Sequence, residues 1–137
     1  MKPHTTNYEN TFIAVADDCP AVAGEVPPMK GDQPTVARLQ YDLIRNNPYR
    51  FTSDDVIFQV HAVRTGLTED KLGPARTQFF SRGQPCLRSS PLTKRYGWGV
   101  HCDAQGRVAI YGRETEAYER FLGDGQLKVV KAMKSGR

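Results

Sequence analysis

Tyr96 to Cys102 (YGWGVHC) and Arg107 to Gly112 (RVAIYG) decide the fold, because they read as the two arms of one hairpin. A three-residue loop, Ala104-Gln105-Gly106, puts Gly106 at the left-handed position of a bulged turn and sets Asp103 against Arg107. Trp98, Val100 and Cys102 then share a wholly apolar face with Val108 and Ile110. A four-residue loop would mix Arg107 into that face. A slip of one residue turns every side chain over, so the clean pattern selects the shorter loop. The other face gathers Gly97, Gly99, His101, Ala109, Tyr111 and Arg113, with Gly99 opposite Tyr111.

Beyond the hairpin, Glu114 to Leu122 reads as a short helix closed by Gly123, and Leu127 to Met133 as a final strand. Before it, Gln84 to Lys94 is irregular, and Pro74 to Arg82 forms a short helix stopped by Gly83. Asp55 to Arg64 alternates and reads as a strand, with Val56, Phe58, Val60 and Ala62 on one face; Asp54-Asp55 would end the turn before it. Asp32 to Asn47 is a helix, capped by Asp32, with Pro34 in its first turn and Val36, Leu39, Leu43 and Ile44 as its stripe. Asp17 to Gln33, with three prolines and two glycines, is a long loop. Thr11 to Ala16 is a first strand. The order gives an α+β fold: a single compact domain over residues 1–137, with a mainly antiparallel sheet of about five strands and about three helices.

An apolar fraction of 39% and a charged fraction of 25% in 137 residues fit one folded domain with a real core. No apolar run is long enough to span a bilayer, and Met1 to Asn10 lacks a signal-peptide core, so a cytoplasmic protein without membrane contact is expected. Cys19, Cys86 and Cys102 fit reduced thiols, and no CxxC supports structural zinc.

Charge is uneven along the chain. Residues 71–102 hold six bases (Lys71, Arg76, Arg82, Arg88, Lys94, Arg95) and no acid, whereas residues 1–70 hold ten acids against six bases. If the middle bases converge, they make a positive surface for a negatively charged partner.

Gly83-Gln84-Pro85-Cys86-Leu87-Arg88 and the run from Ser90 to Gly99 (SPLTKRYGWG) resemble a family of small, mostly bacterial proteins known as domain of unknown function 6157. His4-Thr5-Thr6-Asn7 with Thr11-Phe12-Ile13, Thr52 to Val56 (TSDDV), and Val130 to Lys134 (VKAMK) match as well, so the resemblance spans nearly the whole chain. It implies family membership and supplies no activity, cofactor or catalytic residue.

Candidate sites follow from the residues. Arg88, Lys94 and Arg95 flank a Ser-Ser-Pro turn whose hydroxyls and amides suit phosphate or carboxylate capture; a solvated basic loop is the plain alternative. Beside it, Tyr96, His101, Tyr111 and Arg113 rim the glycine face of the hairpin. That face is either a shallow pocket or a place where a ring or helix packs close. Cys86, with Arg88 nearby and His61 or His101 as base, is a candidate nucleophile, or else core filling. His61 and His101, on adjacent strands, lack the third ligand a metal needs. Lys128, Lys131, Lys134 and Arg137 make a basic tail. Asp17-Asp18 and Asp54-Asp55 point apart and form no acid/base pair.

The leading expectation is a binding module for an anionic small molecule or an acidic protein segment at the basic loop, with no cofactor. Nucleic-acid binding by the same surface, or a small enzyme using Cys86 or a histidine, are the alternatives. Apart from Tyr96 and Tyr111, interleaved exposed aromatics are missing, as is a helix dense in bases, which weighs against nucleic acid.

Overall fold

The computed structural model describes residues 3–135. In chain order, its elements are β1 (Thr11–Ala14), β2 (Met29–Lys30), β3 (Gln33–Pro34), α1 (Val36–Arg45), α2 (Ser53–Thr65), α3 (Leu72–Phe79), α4 (Pro91–Lys94), β4 (Trp98–Cys102), β5 (Val108–Gly112), α5 (Glu116–Leu122) and β6 (Lys128–Lys131). Short 3-10 turns at Glu69–Lys71 and Leu87–Ser89 lead into α3 and α4. The four-stranded sheet has the order β5-β4-β1-β6 and is antiparallel except for the β1–β6 pair; β2 and β3 form a separate small hairpin. No helix among the described residues is long and apolar enough to cross a membrane.

The hairpin has the register its sequence dictates. Gly99 pairs with Tyr111 and Cys102 with Val108, while the Gly106 N–H donates to the Asp103 carbonyl at 3.1 Å. Gly106 takes φ +77°, the left-handed turn position. The apolar face packs Ile13, Val100 and Ile110 against Ile44 of α1, Val56 of α2 and Leu92 of α4. Cys102 is buried there, and burial pushes its thiol up to about 12.

Over the other face lies α5. A Cβ on Gly99 would stand 2.5 Å from the Phe12 ring and 2.7 Å from the Tyr118 ring, so bare backbone here lets a helix and an aromatic ring approach. The packing alternative therefore describes Gly99, and no pocket opens over it.

The largest departure from the sequence reading lies in α2. Residues 55–64 are helix, within α2, not strand. Val56 packs into the core on the sheet side and Val60 is buried one turn later, while Phe58 and Ala62 meet Phe80 on the α3 side. Two stripes, each at i,i+4 spacing and offset by two residues, interleave into a false alternation. Asp54-Asp55 begins this helix rather than a strand: Thr52 Oγ1 accepts from Asp55 N–H at 3.2 Å and Asp55 accepts from Thr52 N–H at 3.1 Å, a closed capping box. Gly66, at φ +68°, ends it.

Smaller corrections follow. Thr35, not Asp32, caps α1, since Asp32 and Pro34 belong to the β2–β3 hairpin turning at Gly31. The helix expected from Pro74 starts earlier, at Leu72, and ends at Phe79. Arg137, the last base of the tail, lies outside the described residues; Lys131 of that tail pairs with Asp17 at 2.7 Å.

Candidate functional site

On a helix, Ile57, His61 and Arg64 share one face. That face of α2 is one wall of a cleft of about 550 Å³, closed by Val36 and Gln40 of α1 and by the segment from Pro85 to Pro91. Among its polar residues Gln40 and Ser90 are buried; the Ser90 hydroxyl donates to Gln40 Oε1 and accepts from Leu92 N–H at 3.1 Å, capping α4. The His61 ring lies 4.6 Å from the Phe79 ring. Cys86 also lines this cleft, its Sγ 3.7 Å from the Tyr8 hydroxyl. Burial and this sulfur raise the Tyr8 phenol above its usual range.

Two further clefts join the first. One, of about 440 Å³, shares Val36 and Arg64 with it and runs over α1 to Lys30 of β2. The other, of about 680 Å³, shares His61, Thr65 and Phe79 and runs beside α3 to Arg82. Together they form a groove across α2, apolar at its centre and more polar along both arms. No Asp or Glu lines any of its parts. Arg38, Arg76, Arg120 and Lys131 all pair with carboxylates, yet Lys30, Arg64 and Arg82 make no ion pair among the described residues. A concave, apolar-walled surface with uncompensated cations concentrates positive potential.

The residues singled out from sequence divide between several places. Arg88 donates from Nε to the Lys131 carbonyl at 2.7 Å and lies beside Tyr8, so its guanidinium braces β6. Lys94 and Arg95 make no ion pair among the described residues, but neither lines the groove or its arms. The Ser89-Ser90 turn offers no open anion nest, because Ser90 caps its own helix. Tyr96 packs half-buried on the core, and Arg113 donates to the Ala21 carbonyl at 2.7 Å. The basic loop and the Gly/Tyr strand face thus share no hollow.

His101 and Tyr111 do meet, through a third residue. The Tyr49 hydroxyl lies 2.8 Å from both His101 Nδ1 and the Tyr111 hydroxyl, and the imidazole stacks on Phe121 at 4.3 Å. Tyr49 holds φ +59° and donates its N–H to the Val108 carbonyl at 2.9 Å. Burial lowers the His101 pKa and raises that of Tyr49. His61 and His101 are not neighbours on a sheet: the first is on α2 and the second faces α5 across the strands. Among the described residues no group of three His, Cys, Asp or Glu side chains could hold a metal. Cys86 and His61 do line one cleft, with no hydrogen bond between them among the described residues.

Arg64, Gln40 and Lys30 line the groove without having stood out in the sequence, and Arg82 stood there only as one of the six middle bases. A helical reading of 55–64 puts Arg64 in line with Ile57 and His61, so that signal was present. Lys30 and Arg82 reach the groove only through tertiary packing, which leaves no local mark.

The segments that carry the family resemblance hold one another. Asp54 accepts from Thr5 Oγ1, Thr6 N–H and Thr6 Oγ1, each at 2.7 Å, and its own N–H donates to Asn7 Oδ1 at 2.9 Å. Met133 N–H donates to the Arg88 carbonyl at 2.8 Å, tying the final segment to the middle one. A family of unknown function, DUF6157, matches residues 3–137. The chain belongs to this family. No curated protein and no solved structure matches it. Pro85, Cys86, Ser90 and Pro91, from the middle stretch of the DUF6157 resemblance, line the central cleft.

Proposed function

We propose that this protein is a binding module for an anionic ligand, seated in the groove across α2 with its charge on Arg64 and Arg82. The observation that carries the reading is the groove's composition: Lys30, Arg64 and Arg82 stand free of carboxylate partners among the described residues, around walls that contain no acid. No acid in the groove walls neutralises these charges, so an anion gains charge-assisted hydrogen bonds from the guanidinium forks without displacing a carboxylate. The apolar centre takes the ligand's carbon body, as small-molecule and peptide sites commonly do.

The basic loop contributes to the module differently from the leading sequence expectation. Arg88 serves β6, and Lys94 and Arg95 add to the surrounding positive field without forming walls.

Nuclear magnetic resonance titration with a small dicarboxylate tests this. Arg64 and Arg82 side-chain signals and the amides of residues 61–65 should shift together. Arg64→Gln with Arg82→Gln should weaken the affinity by about tenfold, or ~1.4 kcal/mol. Shifts confined to Arg88 and Arg95, or unchanged binding by the double variant, would overturn the assignment.

A further inference from the structure

Resting on that reading, we infer that the groove's partner is an extended acidic peptide segment with one apolar anchor residue. The three clefts follow one another in an order that fits such a segment. The central one is walled by Val36, Ile57, Val60 and Phe79 and holds the apolar surface. The arm over α1 ends at Lys30, and the arm beside α3 ends at Arg82, with Arg64 where the first arm joins the centre. A cation thus stands on each flank of an apolar hollow. A small molecule with one anionic head uses one end of such a site and leaves the other charge unmet. An extended chain of acid, apolar residue, acid meets both ends at once. Polar side chains on both arms, Gln33 on one and Gln78 on the other, offer partners to a peptide backbone. A single nucleic-acid strand shares the charge but needs stacking platforms for successive bases. Among the described residues Phe79 is the one Phe, Tyr or Trp ring on the groove wall, and the His61 imidazole already lies against it.

Fluorescence anisotropy with the purified full chain tests the inference. The probe is a labelled heptapeptide carrying a central leucine between Asp and Glu residues. Its controls are the same peptide with the acids changed to Asn and Gln, the same peptide with glycine in place of leucine, and a labelled oligothymidine. The acidic, leucine-bearing peptide should bind at least about tenfold tighter than either altered peptide, and tighter than the oligothymidine, with affinity falling as salt is raised. Arg64→Glu with Arg82→Glu should lower that affinity by more than about tenfold while thermal unfolding stays cooperative. Arg120→Glu, on α5 and off the groove, should change it little.

If oligothymidine binds as well as the peptide, or the glycine peptide matches the leucine one, the peptide inference fails. If the dicarboxylate shifts Arg64 and Arg82 but no peptide binds more tightly, the anion site stands and its peptide partner falls. If neither ligand engages the groove, both readings fall together.

Discussion

His101 shows how much a single side chain's surroundings decide. Its ring is stacked on Phe121, its Nδ1 faces the Tyr49 hydroxyl, and burial disfavours its charged form more than Asp103 and Asp124 favour it. The folded pKa therefore lies below the ordinary 6.5. Between those two values the unfolded chain binds more protons than the folded one. The histidine's contribution is complete above the ordinary value and is lost as pH falls through the folded one. Urea melts of wild type and His101→Gln at pH 7.5 and pH 5 check this: stability lost on acidification should be smaller in the variant. An equal or larger loss in the variant would mean that His101 is not the group titrating. The alternation of β4 makes this residue legible as the polar member of its face. Tyr49 was not, because its place beside His101 comes from a left-handed residue in the turn after α1, and a tyrosine gives no sign of such a conformation.

At the scale of elements, the hairpin and α2 mark the limits of pattern reading. The hairpin was legible because one face is entirely apolar and the loop must supply a glycine, two constraints that fix one register. α2 was not, because it buries two neighbouring stripes, so its apolar residues lose the single helical period. Its ends were the better evidence: a Thr-x-x-Asp box at the start and Gly66 beyond the last turn. Gly66 gives a clean test, since nothing stands within 4 Å of an added Cβ and only its φ of +68° resists a side chain. Gly66→Val should therefore cost about 1–2 kcal/mol, and Gly66→Asn much less, in equilibrium unfolding. Equal costs for the two would point to lost packing rather than backbone conformation. The candidate groove followed the same fate as α2. Once its wall was read as strand, Arg64 fell on the wrong face and Arg82 had nothing to join.

Across the whole molecule, charge asymmetry was a correct count with a misleading location. The six bases of 71–102 disperse: Arg76 pairs with Asp55 at 2.9 Å, Arg88 holds β6, and Arg82 reaches the groove. The fold itself closes through a topology in which β1, from one end of the chain, lies between β4 and β6, from the other. Local periodicity cannot encode that closure, and such long-range pairing is paid for in loop entropy before it stabilises anything. It also makes the last strand structural. Lys128 N–H donates to the Asn10 carbonyl at 3.0 Å, Ala132 N–H donates to the Ala14 carbonyl at 2.9 Å, and the side chain of Ala132 is buried in the core. Removing residues 128–137 strips β1 of its parallel partner, frees the Arg88 guanidinium and exposes a sheet edge beside Phe12. Against a total stability of about 5–15 kcal/mol, that loss should abolish cooperative urea unfolding or turn the monomer into aggregate on size exclusion. Changing Lys128, Lys131 and Lys134 to glutamine removes three of the four positive charges that the truncation removes and keeps the backbone, so it should leave the unfolding midpoint nearly unchanged. A truncated chain that unfolds at the wild-type midpoint would show that the sheet closes without β6. A triple glutamine variant as damaged as the truncation would instead assign the tail's role to charge, with the Lys131–Asp17 pair as its first suspect.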